Sequence, residues 1–288
     1  TTTLDENYTA ADSDNAGDID GPFAKGTGRN GIWVQSGGVH SGNIDSSGTI
    51  TIEGNQSAGI RIDGPLVGNL STSGGTSVLG DNGHGVIANG VTGNVTIRGT
   101  TTVVGANSVG VALQGDVTGA VKIQGSVTST GYRSTTRPTD TSKLDSDDLL
   151  QGGSAVTIAG NVTGGIIFDI PPTLDSTKPD VDNDGLTDST EGSAAIITYG
   201  AAPSVQIGSA TADTVIGAVA AESSGYGLIV KGAIAGYGVY NGVNANGLVV
   251  GGLGGDVALT KGMLITGTGG AIFYDSNATA ARLGSGAT

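Results

Sequence analysis

The chain has 288 residues, a formal net charge of −14 and no cysteine. The acidic balance argues against nucleic acid as a partner and favours divalent cations. With 54 glycines in no strict third-residue period, 4% aromatic and 13% charged residues, the composition is neither that of collagen nor that of a disordered chain. We therefore expect a fold built around small and β-branched side chains. The missing cysteines leave two interpretations open, chance in a composition of low complexity and export of the unfolded chain through an oxidising compartment.

An acidic, polar segment, residues 1–29, opens the chain, and we expect it to form a lead-in or cap. It carries Asp12, Asp14, Asp18 and Asp20, a spacing that resembles a calcium loop with one ligand position missing. The spacing leaves two interpretations open, a second calcium loop and a solvated acidic turn.

A repeat with offsets in the middle twenties follows the lead-in. Each unit starts at a small anchor residue, continues with three pairs of apolar residues spaced two apart, and ends at a glycine. The first four anchors are Gly31, Gly59, Gly85 and Gly110. Alternation with period two predicts strands with one buried face. Because the same residue class recurs at the same place in each unit, we expect like strands to stack on like.

Three strands per unit predict one coil of a triangular parallel β-helix, an all-β solenoid over residues 30–288. Many short strands are also typical of an antiparallel sandwich or barrel, but neither has a reason to repeat in register. The later anchors, which bring the predicted number of coils to nine, are Ala155, Ala195, Gly227, Gly247 and Gly270.

Glycine and asparagine mark the predicted corners of the coil. Glycine permits positive φ angles where a Cβ atom would clash. Asn55, Asn82 and Asn107 fall shortly before successive anchors. They are compatible with a stacked amide ladder and with left-handed turns, both of which asparagine favours.

Two segments interrupt the repeat and are predicted to be insertions. Residues 131–152 (insertion 1) lack alternation and contain several aspartates, and residues 169–192 (insertion 2) combine prolines with a dense acidic run. Both are expected to be loops that leave the coil at its corners. Such loops are where repeat proteins usually carry function.

Insertion 2 contains the one sharp motif of the chain. Residues 180–191 read D-V-D-N-D-G-L-T-D-S-T-E and fit the calcium-loop pattern D-x-[DN]-x-[DN]-G-x5-E at every specified position. Ca²⁺ takes six to eight oxygen ligands. The ligands we predict are the carboxylates of Asp180, Asp182 and Asp184, the backbone carbonyl of Leu186, Asp188 directly or through water, and Glu191 as a bidentate ligand.

The surroundings of this motif favour a structural calcium site over a sensor. Its flanks are rich in proline, and Thr187 occupies a position that is usually apolar in an EF-hand. The loop resembles the helix-free calcium loops of extracellular repeats and dockerin-like modules. The alternative is an unstructured acidic turn.

No catalytic constellation is recognisable in the sequence, and we expect a protein that is not an enzyme. A glycoside hydrolase needs a matched pair of acids, and a polysaccharide lyase needs a cation-bound acid cluster with an Arg or Lys base. Arg61, Arg98 and Lys122 are predicted on outward strand faces in different coils, and Lys122 has no acid in its own strand. His40 and His84 lie in no catalytic motif.

Three stretches carry a family resemblance that extends over nearly the whole chain. They are residues 20–34 (D-G-P-F-A-K-G-T-G-R-N-G-I-W-V), residues 57–70 (S-A-G-I-R-I-D-G-P-L-V-G-N-L) and residues 237–255 (Y-G-V-Y-N-G-V-N-A-N-G-L-V-V-G-G-L-G-G). They resemble the passenger region of alphaproteobacterial autotransporters of the outer-membrane β-barrel type.

The resemblance implies a right-handed parallel β-helix, secreted and carried to the cell surface by a C-terminal β-barrel translocator that lies outside this chain. Passengers of this type act in adhesion, autoaggregation and biofilm formation, and occasionally in hydrolysis. The family has no common catalytic residues to transfer. We therefore expect a non-catalytic extracellular structural or adhesive protein that assembles with itself or binds surface polysaccharide. The alternative is a carbohydrate-active β-helix enzyme, a polysaccharide hydrolase or lyase.

Overall fold

The computed structural model describes residues 1–5, 8–13, 19–274 and 276–288. It is a parallel β-helix, in which strands from successive coils pair in parallel along the whole solenoid. The predicted fold class is confirmed. Asp14 and Asp18 of the acidic lead-in lie outside the described residues.

Three long sheets run along the solenoid, and the chain visits them in turn in each coil. Sheet I contains β2 (Asn30–Val34), β6 (Ala58–Ile62), β10 (His84–Ala88), β14 (Val109–Leu113), β17 (Val156–Ile158), β20 (Pro203–Ile207), β24 (Ala245–Val250) and β28 (Ala278–Leu283). Sheet II contains β4 (Ile44–Ser46), β8 (Leu70–Thr72), β12 (Val95–Ile97), β15 (Val121–Ile123), β18 (Ile166–Phe168), β22 (Leu228–Val230) and β26 (Met263–Ile265). Sheet III contains β1 (Thr2–Thr3), β5 (Ile50–Glu53), β9 (Thr76–Leu79), β13 (Thr101–Val104), β16 (Ser126–Thr130), β19 (Ala195–Tyr199), β23 (Ala233–Asn241) and β27 (Thr268–Tyr274).

A short fourth ladder, which the sequence pattern did not predict, fills the corner between sheets I and II. It contains β3 (His40–Ser41), β7 (Leu66–Val67), β11 (Val91–Thr92), β21 (Thr214–Ile216) and β25 (Val257–Leu259), with single parallel bridges at Val117 and Val162 in between. Each level has only one to three residues here, too few for alternation to show. From Leu66 onward, the signal in the sequence is a buried apolar residue at each level, at Leu66, Val91, Val117, Val162, Ile216 and Val257.

The core consists of apolar columns in which like residues stack on like. One column of sheet I consists of Ile32, Ile60, Val86, Val111, Val156, Val205 and Leu248. From Ile60 onward its members are at most 2% exposed. Burial of each such side chain is worth about 1.5–3 kcal/mol, so the register that brings the columns together is strongly specified. The inward positions predicted for the first four coils are confirmed.

The register predicted for the later coils is wrong at three anchors. Ala195 lies in sheet III, Gly227 precedes a strand of sheet II, and Gly270 lies in sheet III. Insertion 2 separates the second and third strands of one coil, and apolar alternation has the same period in all sheets. The pattern therefore identifies a strand without saying which sheet it joins. The described strands stack eight deep in sheets I and III, where the anchors predicted nine coils.

Asparagine ladders form, but not from the residues predicted. Asn82 and Asn107 adopt left-handed turns with φ of 55° and 57°. Asn55 occupies the position before such a turn, and its Oδ1 accepts the Asp81 N–H of the next coil at 2.8 Å. The predicted column is therefore wrong, because Asn55 lies one residue after its closing glycine, whereas Asn82 and Asn107 lie two residues after theirs.

The amide ladder that does form runs up the entrance to sheet II through Asn43, Asn69 and Asn94. Each side-chain Oδ1 accepts a backbone N–H from the next coil, at 2.9, 2.8 and 2.9 Å. Its signal in the sequence is a recurring Gly-Asn pair before the second apolar pair of the coil.

The anchor glycines are required by the close approach of neighbouring coils. A Cβ atom on Gly59 would stand 2.6 Å from the backbone oxygen of Gly85, and one on Gly85 would stand 2.5 Å from that of Gly110. The left-handed φ angles predicted for corner glycines occur at the closing glycines Gly80 and Gly105, at 143° and 148°. Glycine thus serves two different purposes in the same coil.

We expect Gly85→Ala to lower the free energy of unfolding by at least about 1–3 kcal/mol, because the added methyl group forces two coils apart. Urea denaturation followed by far-UV circular dichroism measures the change. Gly75→Ala is the matched control, since a Cβ atom there meets nothing within 4 Å. Equal stability of the two variants would contradict the close-approach explanation.

Candidate metal centre

The predicted calcium loop lies against the outer face of sheet II. Insertion 2 leaves the solenoid after β18 and returns to it at β19. Lys122 alternates with the inward residues Val121 and Ile123 of β15, so its side chain points outward. Arg98 follows β12 directly, one coil earlier. Because adjacent strands stack about 4.8 Å apart, these two cations lie side by side under the loop.

Backbone hydrogen bonds fix the shape of the loop. Asp180 accepts the N–H groups of Asp184 and Gly185 at 3.1 and 3.2 Å. Gly185 has a φ of 91°, which supplies the predicted sharp turn. Asp188 is 2% exposed, and its two oxygens accept the Val181 N–H at 3.1 and 3.2 Å. It also begins a short 3-10 turn, Asp188–Thr190.

The five predicted acidic ligands form two overlapping groups. In each group, one carboxylate oxygen per residue lies within 4.8 Å of the others. The first group is Asp180, Asp182 and Asp188; the second is Asp182, Asp184 and Glu191. Asp182 therefore links the outer part of the loop to the part that faces the sheet. The Leu186 side chain is 37% exposed, and the contribution of its backbone carbonyl stays a prediction.

The second group is held against the solenoid by two protein cations. Arg98 donates from Nη2 to Asp184 Oδ2 at 2.7 Å, and Lys122 Nζ lies 3.2 Å from the same oxygen. Lys122 also lies 3.5 Å from a carboxylate oxygen of Asp182. Lys122 has no acid in its own strand, but it has acidic partners from insertion 2, which the strand sequence alone does not reveal.

A third acid extends this network along the sheet. Asp169, the first residue of insertion 2, lies 3.5 Å from Lys122 Nζ through one oxygen and 3.1 Å from Lys231 Nζ through the other. Lys231 also pairs with Glu222. Positive and negative side chains from three successive coils, Lys122, Asp169 and Lys231, thus alternate along the outer face of sheet II and neutralise one another.

The pKa values follow from these contacts. Burial raises the pKa of Glu191 to about 6, with help from the charges of Asp184 and Asp182. Burial alone would raise the pKa of Asp184, but the Arg98 hydrogen bond and the Leu186 N–H outweigh it and lower that pKa. For Lys122, burial favours the neutral amine, yet the carboxylates of Asp169 and Asp184 prevail and raise its pKa. Lys122 is therefore a fixed cation at neutral pH.

The donor set suits a hard divalent cation. All the side-chain ligand atoms of the two groups are carboxylate oxygens, the ligand type that Ca²⁺ and Mg²⁺ prefer, whereas zinc and copper sites usually include nitrogen or sulfur ligands. The five carboxylates of the loop face two cations from the sheet, which leaves an excess of negative charge. A bound divalent cation reduces that excess.

A further acidic group was missed by sequence reasoning. Asp20 of the lead-in lies with Asp145 and Asp147 of insertion 1, and their carboxylate oxygens are within 4.8 Å of one another. These residues are far apart in the chain, so no local motif signals their approach. Asp147 also accepts the Gly21 N–H at 2.7 Å, which ties the lead-in to insertion 1.

The lead-in and insertion 1 also enclose a cavity of about 640 Å³. The guanidinium of Arg133 lies over the ring of Phe23, 3.9 Å from its centroid, at the edge of this space. Leu79, Leu144 and Tyr240 supply apolar wall. The lead-in is thus packed against the solenoid rather than extended from it.

The remaining sequence candidates have local partners. Arg61 Nε donates to both oxygens of Asp63 at 2.9 Å, and Trp33 Nε1 donates to Asp63 Oδ2 at 2.8 Å. Burial lowers the pKa of His84, with a contribution from the charge of Arg61. His40 lies in the corner ladder, in β3.

Comparison with protein-family models, with curated proteins and with solved structures found no match in any of the three. Among the described residues, no helix has the length and hydropathy needed to cross a membrane.

In calcium-free buffer we expect Glu191→Gln to stabilise the protein more at pH 8 than at pH 5. The raised pKa of Glu191 means that the folded state binds this proton more tightly than the unfolded state. Stability from this group is therefore present at low pH and is lost as the pH rises through about 6. The side-chain amide of Glu191→Gln does not ionise, so the variant does not lose this stability as the pH rises.

Urea denaturation of wild type and variant at both pH values measures the effect. Glu222→Gln, which removes a carboxylate paired with Lys231, is the control and should bring no gain at pH 8. If Glu191→Gln changes the free energy of unfolding by the same amount at pH 5 and at pH 8, the raised pKa of Glu191 is contradicted.

Proposed function

We propose that this chain is a non-catalytic structural or adhesive protein of an extracellular surface, a β-helix rod in which calcium fixes insertion 2 to the solenoid. The observation that carries the proposal is the position of residues 180–191. Their carboxylates converge in two overlapping groups, and the second group is docked by Arg98 and Lys122 on the outer face of sheet II. Calcium there has a structural role, because it joins a loop to a wall.

The outer edges of the first and last described strands of sheet II support self-assembly. In sheet II, β4 pairs on one side with β8, and β26 at the other end pairs on one side with β22. Edge strands of a sheet leave N–H and C=O groups available for another chain. Because the described strands of sheet II are parallel, the outer edge of β26 in one copy has the pairing pattern that the outer edge of β4 in the next copy requires. Such a head-to-tail contact does not close on itself and generates a filament.

The apolar columns also continue to the first level of the solenoid. Ile32, Val34 and Ile44 are partly exposed although they extend the buried core cluster. They line a shallow cavity of about 450 Å³ beside the half-exposed Trp33. A second copy stacked on this end would continue the same columns.

The proposed partners and location follow from the family resemblance of residues 20–34, 57–70 and 237–255. They are further copies of this chain, a β-barrel translocator outside it, and surface polysaccharide, at a bacterial cell surface. The parallel β-helix supports this proposal as the fold that the resemblance implies.

A polysaccharide lyase is the second candidate, and one observation favours it. Lys122 lies among the carboxylates of Asp169, Asp182 and Asp184, which is the combination of acid cluster and lysine that a lyase requires. The raised pKa of Lys122 argues against it, because a general base must be deprotonated at the working pH. Release of unsaturated products from acidic polysaccharides, measured by the ultraviolet absorbance of the new double bond and lost in Lys122→Met, would support the lyase instead.

We expect millimolar calcium to raise the melting temperature and to protect insertion 2 from proteolysis. Calcium at 100 times its dissociation constant adds about 2.7 kcal/mol of stability if it binds only the folded state. Asp182→Asn, which removes the carboxylate shared by both groups, should abolish the gain. Asp175→Asn, in the same insertion but outside the motif, should retain it. A wild-type melting temperature that does not respond to calcium would refute the calcium site.

We also expect the purified chain to form head-to-tail oligomers that grow with protein concentration and persist or lengthen in calcium. Analytical ultracentrifugation and negative-stain electron microscopy measure their size and shape. Ile44→Lys places a charge on the first level and should reduce assembly. Val67→Lys, at an exposed position of the corner ladder, should not. A monomer at all concentrations, with and without calcium, would sink the assembly proposal.

A further inference from the structure

Gln124 is a fully buried side chain of the sheet II wall, and it contacts the calcium loop. It follows β15 directly and is 0% exposed. Its Nε2 donates to Glu191 Oε2 at 2.9 Å. Its Oε1 is buried and, in the part of the chain that the structure describes, has no hydrogen-bond partner. A buried amide oxygen without a partner is costly, and such an atom calls for an explanation.

Glu191 has the same deficit on the other side of this contact. Its Oε1 is also buried and unpartnered among the described residues. Two oxygen atoms that need a positive partner therefore lie on side chains joined by one hydrogen bond. A divalent cation between them would satisfy both, because amide carbonyls and carboxylates are both calcium ligands.

The state of Asp184 explains why an additional oxygen is needed here. Its Oδ2 receives Arg98 and Lys122, and its Oδ1 accepts the Leu186 N–H at 3.1 Å. Both of its oxygens are thus already engaged. A cation beside Glu191 has less of Asp184 available than the loop motif alone suggests, and Gln124, which is hydrogen-bonded to Glu191, offers a buried neutral oxygen from the wall.

We infer that Gln124 Oε1 is a calcium ligand supplied by the solenoid, and that it completes the site together with Glu191. This rests on the proposed calcium site. Without the cation, the amide of Gln124 donates to Glu191 and holds its carboxylate in place. When the ion binds, Nε2 keeps this hydrogen bond to Glu191 Oε2, and Oε1, which has no partner among the described residues, binds the ion together with Glu191 Oε1.

The consequence is that the ion is bonded to the wall as well as to the loop. If all the ligands came from the loop, the ion would have no bond to the wall. With Gln124 as a ligand, affinity depends on contact between insertion 2 and sheet II. Calcium binding and docking of the insertion then become one event.

The test compares calcium affinity in the full chain by isothermal titration calorimetry. Gln124→Met keeps the size of the side chain and removes the amide oxygen, and we expect it to weaken calcium binding by roughly tenfold or more. Gln124→Glu replaces the amide oxygen with a carboxylate oxygen and should bind at least as tightly as wild type. Gln114→Met, at the exposed position that follows β14 in the same way, is the matched control and should bind normally.

A second readout separates a ligand from a residue that only supports the loop. With Eu³⁺ as the probe, luminescence lifetimes in H₂O and D₂O count the water molecules on the bound ion. Gln124→Met should show about one more water than wild type, since a lost protein ligand is replaced by solvent. A supporting role would leave this count unchanged. If Gln124→Met does not fold, Gln124→Glu alone decides, because weaker binding in that variant contradicts the inference.

The outcomes distinguish this inference from the function on which it rests. Wild-type affinity and hydration in Gln124→Met, with calcium bound by the wild type, would overturn the role of Gln124 and leave the calcium loop intact. No binding by the wild type would overturn both.

Discussion

The structure depends on backbone pairing between one coil and the next. Every long sheet is a parallel ladder whose strands come from successive turns of the chain. Each strand therefore pairs with the corresponding strand of the coil before it and of the coil after it. This arrangement places Val86 on Ile60 and Val111 on Val86, and it brings the backbones of the anchor glycines so close that no side chain fits between them. The high glycine content and the scarcity of aromatic residues are consequences of this one constraint.

The same stacking creates the site. Arg98 and Lys122 are 24 residues apart in sequence, yet they lie on adjacent strands and reach one carboxylate, Asp184. A regular sheet face therefore provides a row of charges at fixed intervals, to which an irregular loop can dock. The loop brings more negative charge than the row neutralises, and this imbalance is the physical reason to expect a cation. Fold and site are connected through the strand spacing.

Most of the fold could be predicted from the sequence, because each inward column leaves a trace at every level. The first four coils follow from the recurrence of anchors such as Gly59 and Gly85. The later register could not be predicted, since a strand of sheet III such as β19 has the same alternation as a strand of sheet I. The corner ladder was invisible for the opposite reason, that it is too short to alternate.

The site divides in the same way between what is local in sequence and what is not. The residues of the loop follow one another, and the predicted motif identified all five acids that converge. The wall residues Arg98, Lys122 and Gln124 belong to other coils, so nothing in the motif points to them. Their signal is only that polar residues occupy positions beside inward Ile97 and Ile123 at equivalent places in neighbouring coils. Such a coincidence acquires meaning only once the coils are stacked.

Insertion 2 has a mechanical consequence. It leaves the chain from the coil that contains β18, and it is tied to the two preceding coils through Lys122 and Arg98. Asp169 adds a tie to the following coil through Lys231. Each coil of a solenoid contacts only its neighbours. A force along the axis is therefore opposed, at each coil, only by the hydrogen bonds between that coil and the next. A brace across several coils makes them share the load. The coils from β12 to β22, which this brace connects, are thus reinforced against tension relative to the coils that it does not reach.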